Sequence, residues 1–158
     1  MIKLDSALDK YVSLFQKLNV SHRKGYKAPH KSILLLAVMS LVESGDLVSN
    51  KIEFSEALRE RFRDIWANFI GDSPIFNPEV AMPFWHLKNE ASIWKLIPAN
   101  NSVETIFALT QSTPSSSLKA IRQYVKYAEI PGDLFALMKE PFSRNVLSEV
   151  LFKHYIFT

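Results

Sequence analysis

A chain of 158 residues with 47 % hydrophobic, 22 % charged and 12 % aromatic residues has the length of one domain and the balance of a folded globular protein, which excludes the disordered and fibrous classes. It contains no cysteine, so neither a disulfide framework nor a thiolate metal site can be built, and no apolar run reaches the roughly 18 residues of a membrane span. The net charge is only +3, yet residues 1–31 carry seven Lys or Arg against two Asp or Glu, leaving 12 against 14 in the other 127 residues. The opening MIKLDSALDK has no apolar signal core, and a cytoplasmic protein is expected.

Leu4, Leu8, Tyr11, Val12, Phe15 and Leu18 recur at helical spacing and predict a first amphipathic helix over 4–19. NVSHRKGYKA reads as a loop. From Lys17 to Lys31 the chain has five cations (Lys17, Arg23, Lys24, Lys27 and Lys31), two histidines and no acid. Such a patch attracts polyanions such as a phosphate backbone, although it is equally compatible with a solvated surface loop. Pro29 suits the first turn of a second helix and Gly45 its stop. Between them Ile33 to Val42 is apolar nearly all round, as the central helix of the core must be.

Residues 46–54 are expected to hold a short strand or turn. Ser55 then caps a helix whose buried face is Leu58, Phe62, Ile65, Trp66 and Phe69, with Arg59 and Arg63 outward. GDSPIFNPEVAMP, with three prolines, reads as a long irregular connection, and such connections are often functional. FWHLK and IWKLIP flank Asn89 to Ser92 and read as a β-hairpin, in which alternation puts Phe84 and His86 on one face and Trp85 and Leu87 on the other. QSTPSSS is linker-like and leads into LKAIRQYVKYA, read as a helix with Leu118, Ile121, Val125 and Ala128 on its apolar face and Lys119, Arg122, Gln123 and Lys126 opposite. Ser116 and Ser117 can cap that helix, and a capped N-terminus can also meet a phosphate. Helices over 133–139 and 141–155 complete the chain. The expected fold is a mainly α, α+β domain, a compact helical body around a central apolar helix with a small β-hairpin, as a single domain over 1–158.

Catalytic chemistry has little support. The four histidines, His22, His30, His86 and His154, show no metal-ligand spacing. The four glycines make neither GxxxxGK[ST] nor GxGxxG. His86, Ser92 and Glu90 could be named as a triad, but they crowd one hairpin. No catalytic residue, metal or cofactor is expected, and the residues favour binding over turnover.

KAPHKSILLLAVMSLVESGDL, then MPFWHLK, IWKLIP and a final PFSRNVLSEVLFKHYI resemble the sulfur-binding domain of the McrA-like Type IV restriction endonucleases, which recognise phosphorothioate-modified DNA. The resemblance covers nearly the whole chain. It implies an apolar cup for the sulfur at Met82, Pro83, Trp85 and His86, and contacts from His30 and Lys31 to the modified phosphate and adjacent bases. Family members often carry an aromatic residue where this chain has Met82. The charge pattern adds Arg23, Lys24 and Lys27 as DNA contacts, and the capped basic helix adds Ser116, Ser117, Lys119 and Arg122.

In that family the domain usually precedes an HNH nuclease domain. No such domain is expected here, so the chain reads as the DNA-reading part alone, stand-alone or a fragment, in nucleoid-associated cytoplasm, with cleavage expected from a separate or missing HNH nuclease domain. The partner implied is double-stranded phosphorothioated DNA. Two other classes stay open at this point: a small nuclease with its own active site, and a protein-interaction module using the hydrophobic loop from Phe76 to Trp85.

Overall fold

The computed structural model of the protein describes residues 2–112 and 117–157. Helix α1 (Ile2–Gln16) leads to a miniature ribbon of β1 (His22–Arg23) and β2 (Tyr26–Lys27), then to α2 (His30–Glu43), β3 (Lys51–Ile52) and α3 (Glu56–Phe69). An irregular stretch ends at α4 (Ala81–His86), which runs into a 3-10 turn, Leu87–Asn89. There follow β4 (Lys95–Pro98), α5 (Val103–Leu109), α6 (Ser117–Tyr124), β5 (Val125–Glu129), α7 (Gly132–Lys139) and α8 (Pro141–Leu151), which closes with a π-helical turn, Phe152–Ile156. The chain is a mainly helical α+β domain, as expected.

Helix α2 is the axis of the core. Ile33, Leu34, Leu35, Ala37 and Val38 are fully buried, because α3, α4, α7 and α8 all pack against it. Each buried Ile, Leu or Val side chain contributes about 1.5–3 kcal/mol by leaving water. Pro29 is the N-cap, so the helix begins one residue later than Pro29 itself. The C-terminus is closed by Gly45 at φ 79°, with Asp46 N–H bonded to the Leu41 carbonyl (2.9 Å) and Gly45 N–H to that of Val42 (3.1 Å). This pair of bonds needs a left-handed residue between them, the conformation glycine adopts without strain.

In α3, the Ser55 hydroxyl caps Leu58 N–H (3.1 Å) as expected, and Leu58, Phe62 and Trp66 are buried. The expected buried face stops there. Phe69 is 45 % exposed and lies instead against Phe152 and Phe157.

Three further expectations are corrected. The segment read as a loop after α1 contains the β1–β2 ribbon, with Arg23 opposite Tyr26 and both Lys24 and Gly25 at positive φ, the backbone a two-residue hairpin turn requires. The FWHLK strand is helix α4, so no hairpin joins it to IWKLIP. The helix read over 118–128 ends at Tyr124, and Val125–Glu129 becomes the central strand of an antiparallel sheet ordered β3-β5-β4. There Ile52 and Leu96 both sit opposite Ala128. Leu118, Ile121, Val125 and Ala128 fit a helical stripe, but two partner strands satisfy the backbone of the second half, and tertiary pairing overrides the local pattern. Helix α5 was not foreseen, although Ser102 caps it in the same way that Ser55 caps α3.

Candidate functional site

The helical form of Ala81–His86 shapes the site. Pro83 stands in the first turn, where its missing N–H has no intrahelical acceptor to lose, and the first full turn closes with Phe84 N–H on the Val80 carbonyl (3.1 Å). Residues three and four apart share a helix face. Ala81, Phe84 and Trp85 therefore turn into the core, Met82 and His86 face the other way half-buried, and Pro83, itself buried, contributes to the cleft lining between them. Phe84 is gripped edge-on by Phe54 and Trp94, and the Trp94 indole N–H donates to the Phe84 carbonyl (3.0 Å). The helix is short but immobilised on its buried side.

Its outward face forms one wall of a cleft of about 560 Å³. Asn19 to Ser21, Arg23 and Ala28 form the facing wall, His30 and Lys31 come from the start of α2, and Phe76, Asn77 and Glu79 come from the irregular stretch before α4. The basic turn and the MPFWH segment, some fifty residues apart in sequence, meet here. Trp85 does not line the cleft: it is buried and donates its indole N–H to the Gln111 carbonyl (3.2 Å).

His30 is fixed from three sides. Its ring lies 4.9 Å from that of Trp66 and 5.9 Å from that of Phe76, and Nε2–H donates to the Asn77 carbonyl (2.6 Å). Burial holds its pKa below the ordinary value, and the Asn77 carbonyl opposes this only in part. The imidazole is therefore neutral near pH 7, leaving Nδ1 as an acceptor. His86 is also held low, first by burial and then by the positive charges of Lys31 and Lys88. Phe76 packs on His30 and Phe84 and Trp85 are buried, so the aromatics of the Phe76–Trp85 segment are mostly turned inward.

Lys31 occupies the floor. It is buried, and its Nζ donates both to the Asn19 carbonyl (2.7 Å) and to Glu90 Oε2 (2.7 Å). The same carboxylate oxygen accepts the Asn19 N–H (3.1 Å). These bonds tie the floor, the far wall and the turn after α4 into one closed network.

The ribbon cations differ among themselves. Arg23 and Lys24 are exposed, with Arg23 reaching the Ile75 carbonyl (3.4 Å) at the cleft rim. Lys27 is anchored: its Nζ donates to the His154 carbonyl (3.1 Å) and lies 5.5 Å over the Tyr155 ring. The Tyr155 hydroxyl in turn donates to the Phe15 carbonyl and accepts the Leu18 N–H (2.9 Å), pinning the end of α1.

Lys119 and Arg122 are exposed on α6 and line a separate shallow depression with Leu118 and Gln123. They are not part of the cleft lining. Ser116 lies outside the described residues, and of Ser117 the structure gives only its place at the start of α6. Among the described residues no group of three or more His, Asp or Glu side chains is placed to hold a metal ion, and no helix is long and apolar enough to cross a membrane.

The family model of the ScoMcrA-like DNA sulfur-binding domain matches residues 8–145. The chain belongs to that family. The matched span includes every cleft residue named above, both walls and the floor. Among curated proteins there is no significant match.

Proposed function

We propose that this sulfur-binding domain reads double-stranded DNA carrying a phosphorothioate in its backbone, with the sulfur seated against Met82, Pro83 and His86 and with Trp85 backing them from the core. The observation that carries this is the meeting of the basic α2 start with the outward face of α4 in one cleft. Replacing a non-bridging oxygen by sulfur makes that position larger, more polarizable and less strongly hydrated. A thioether and a proline ring suit sulfur, and they offer no donor to the oxygen of ordinary DNA. Burying an oxygen acceptor there without a partner costs about 1–3 kcal/mol, which corresponds to roughly 5- to 150-fold in affinity. Met82 stands where family members often have an aromatic ring, and its soft sulfur fills the same apolar role.

Affinity comes from the surrounding charge. Arg23 and Lys24 at the rim and Lys27 behind them contact phosphates, while His30, a neutral ring, and Lys31, whose charge Glu90 offsets, contact the modified phosphate and neighbouring bases by hydrogen bonding. Lys119 and Arg122 extend the footprint along α6, and Ser116 and Ser117 are further DNA contacts of this reading. The chain acts as the targeting module of a modification-dependent restriction system in nucleoid-associated cytoplasm. Residues 1–158 act as a single binding domain, and cleavage is the work of an HNH nuclease domain or partner that this domain directs.

The test is a polarisation titration of matched duplexes that differ only in one phosphorothioate. A preference of roughly 5- to 150-fold for the modified duplex is expected. Equal affinity for the two would remove the sulfur assignment, and metal-dependent cleavage of modified DNA by this chain alone would establish a nuclease instead.

A further inference from the structure

The cleft floor contains a charge arrangement that phosphate binding by itself does not require. A lysine meant simply to attract a phosphate would stand solvated and unpaired. Lys31 is instead buried and paired to Glu90, with their side chains only 10 % and 13 % exposed. Two of its three N–H donors are taken, one by the carboxylate and one by the Asn19 carbonyl. The Asn19 backbone reciprocates by donating to the same Glu90 oxygen, so the pair is held on both sides and is a built feature of the floor.

Phosphate and phosphorothioate carry the same charge, so net charge cannot tell them apart. Hydrogen-bond donors can. An ammonium bonds more strongly to oxygen, the harder and better acceptor, than to sulfur. A free lysine at the cup would therefore favour the wrong substrate, ordinary DNA, and specificity requires that this attraction be withheld.

We propose that Glu90 is a specificity-determining residue: by pairing with Lys31 it keeps the floor of the cleft electrically neutral, so that the apolar cup and not the ammonium decides which backbone is retained. The proposal rests on the sulfur reading of the same cleft. It gives Glu90 a role that a purely structural ion pair would not have, because the consequence appears in the ratio of two affinities.

Glu90→Gln removes the charge while keeping an acceptor for Asn19 N–H and for Lys31, and a thermal melt checks that the fold survives. Affinity for a plain duplex is expected to rise about fivefold at 0.15 M salt, the contribution of one additional released counterion, with a salt slope steeper by about 0.9. Affinity for the phosphorothioate duplex rises less, so the preference narrows. Glu90→Asp keeps the carboxylate but withdraws it by one methylene, and is expected to give less than half the rise seen with Gln.

An unchanged or lower plain-duplex affinity in folded Glu90→Gln overturns the proposal, as does an equal rise for both duplexes. A rise in Glu90→Asp as large as that in Glu90→Gln also overturns it, because loosening of the Asn19 wall would then be the cause. If the parent protein shows no sulfur preference, the sulfur reading itself has failed and this proposal falls with it. A preference that is present in the parent and unaltered in Glu90→Gln removes the role of Glu90 alone.

Discussion

Two sets of cations lie within nine residues of each other and behave as different chemical objects. Arg23 ends β1 and Lys24 opens the two-residue turn, both exposed to water, whereas Lys31 stands in the first turn of a helix whose next residues are the core. The first two keep their charge available to a distant polyanion, screened only by salt. The third is neutralised by a carboxylate 2.7 Å away and serves first to hold the cleft together. A count of lysines and arginines does not separate long-range attraction from local architecture. Burial and partner decide.

Lys31→Ala should break this contrast most visibly. It leaves Glu90 partly buried without its cation, and a loss of about 3 kcal/mol in unfolding free energy is expected by urea titration, whereas Arg23→Ala should change the same measurement by less than about 0.5 kcal/mol. Equal stability of the two variants would mean that the ion pair holds nothing. Next in size, Pro83→Ser places a hydroxyl donor beside the proposed sulfur position, and the advantage of modified over plain DNA should shrink by about 1–3 kcal/mol while plain-duplex affinity is held or raised. Preference kept in full would move the cup elsewhere.

The rim cations should act without regard to sulfur. Arg23→Ala or Lys24→Ala should weaken both duplexes alike, each lowering the slope of log affinity against log salt by about 0.9. Lys119→Ala with Arg122→Ala should do the same if the footprint extends along α6, and an unaltered slope would confine DNA to the cleft.

The smallest effect expected is on pH. His30 and His86 are both held below the ordinary value of 6.5 by burial, so below that pH the unfolded chain binds more protons than the folded one. Stability is then full above about 6.5 and falls as the pH is lowered through and below it. Thermal melts between about pH 7.5 and 5.5 should show this, and His30→Gln should flatten part of the slope.

What the sequence reveals follows from how local each cause is. Helix α2 is legible because a continuous apolar run bounded by Pro29 and Gly45 has one economical solution, and the cap at Ser55 is equally local. MPFWHL has no such protection: six residues are too few for a period to emerge, and aromatic content pulls the reading toward a strand. Once it is a helix, the partition of its side chains changes, and Trp85 moves from the expected cup to the core. The helix–strand break at Tyr124 depends on partners at Lys51–Ile52 and Lys95–Pro98, which no window around Val125 contains. The candidate site shows the same division. His30, Lys31, Met82, Pro83 and His86 were visible as motifs, but the partner of Lys31 is 59 residues away, and a single sequence gives no means of pairing them.

The fastening of the far wall also has a temporal meaning. Residues 18 and 27 are locked by Tyr155 and the His154 carbonyl, across separations of 137 and 127 residues. A growing chain emerging from the ribosome can form α2 and its neighbours long before it holds these last fasteners. The segment that carries the far wall of the cleft therefore gains these fasteners only after residues 154 and 155 have emerged, since contacts of such span wait for the whole intervening chain.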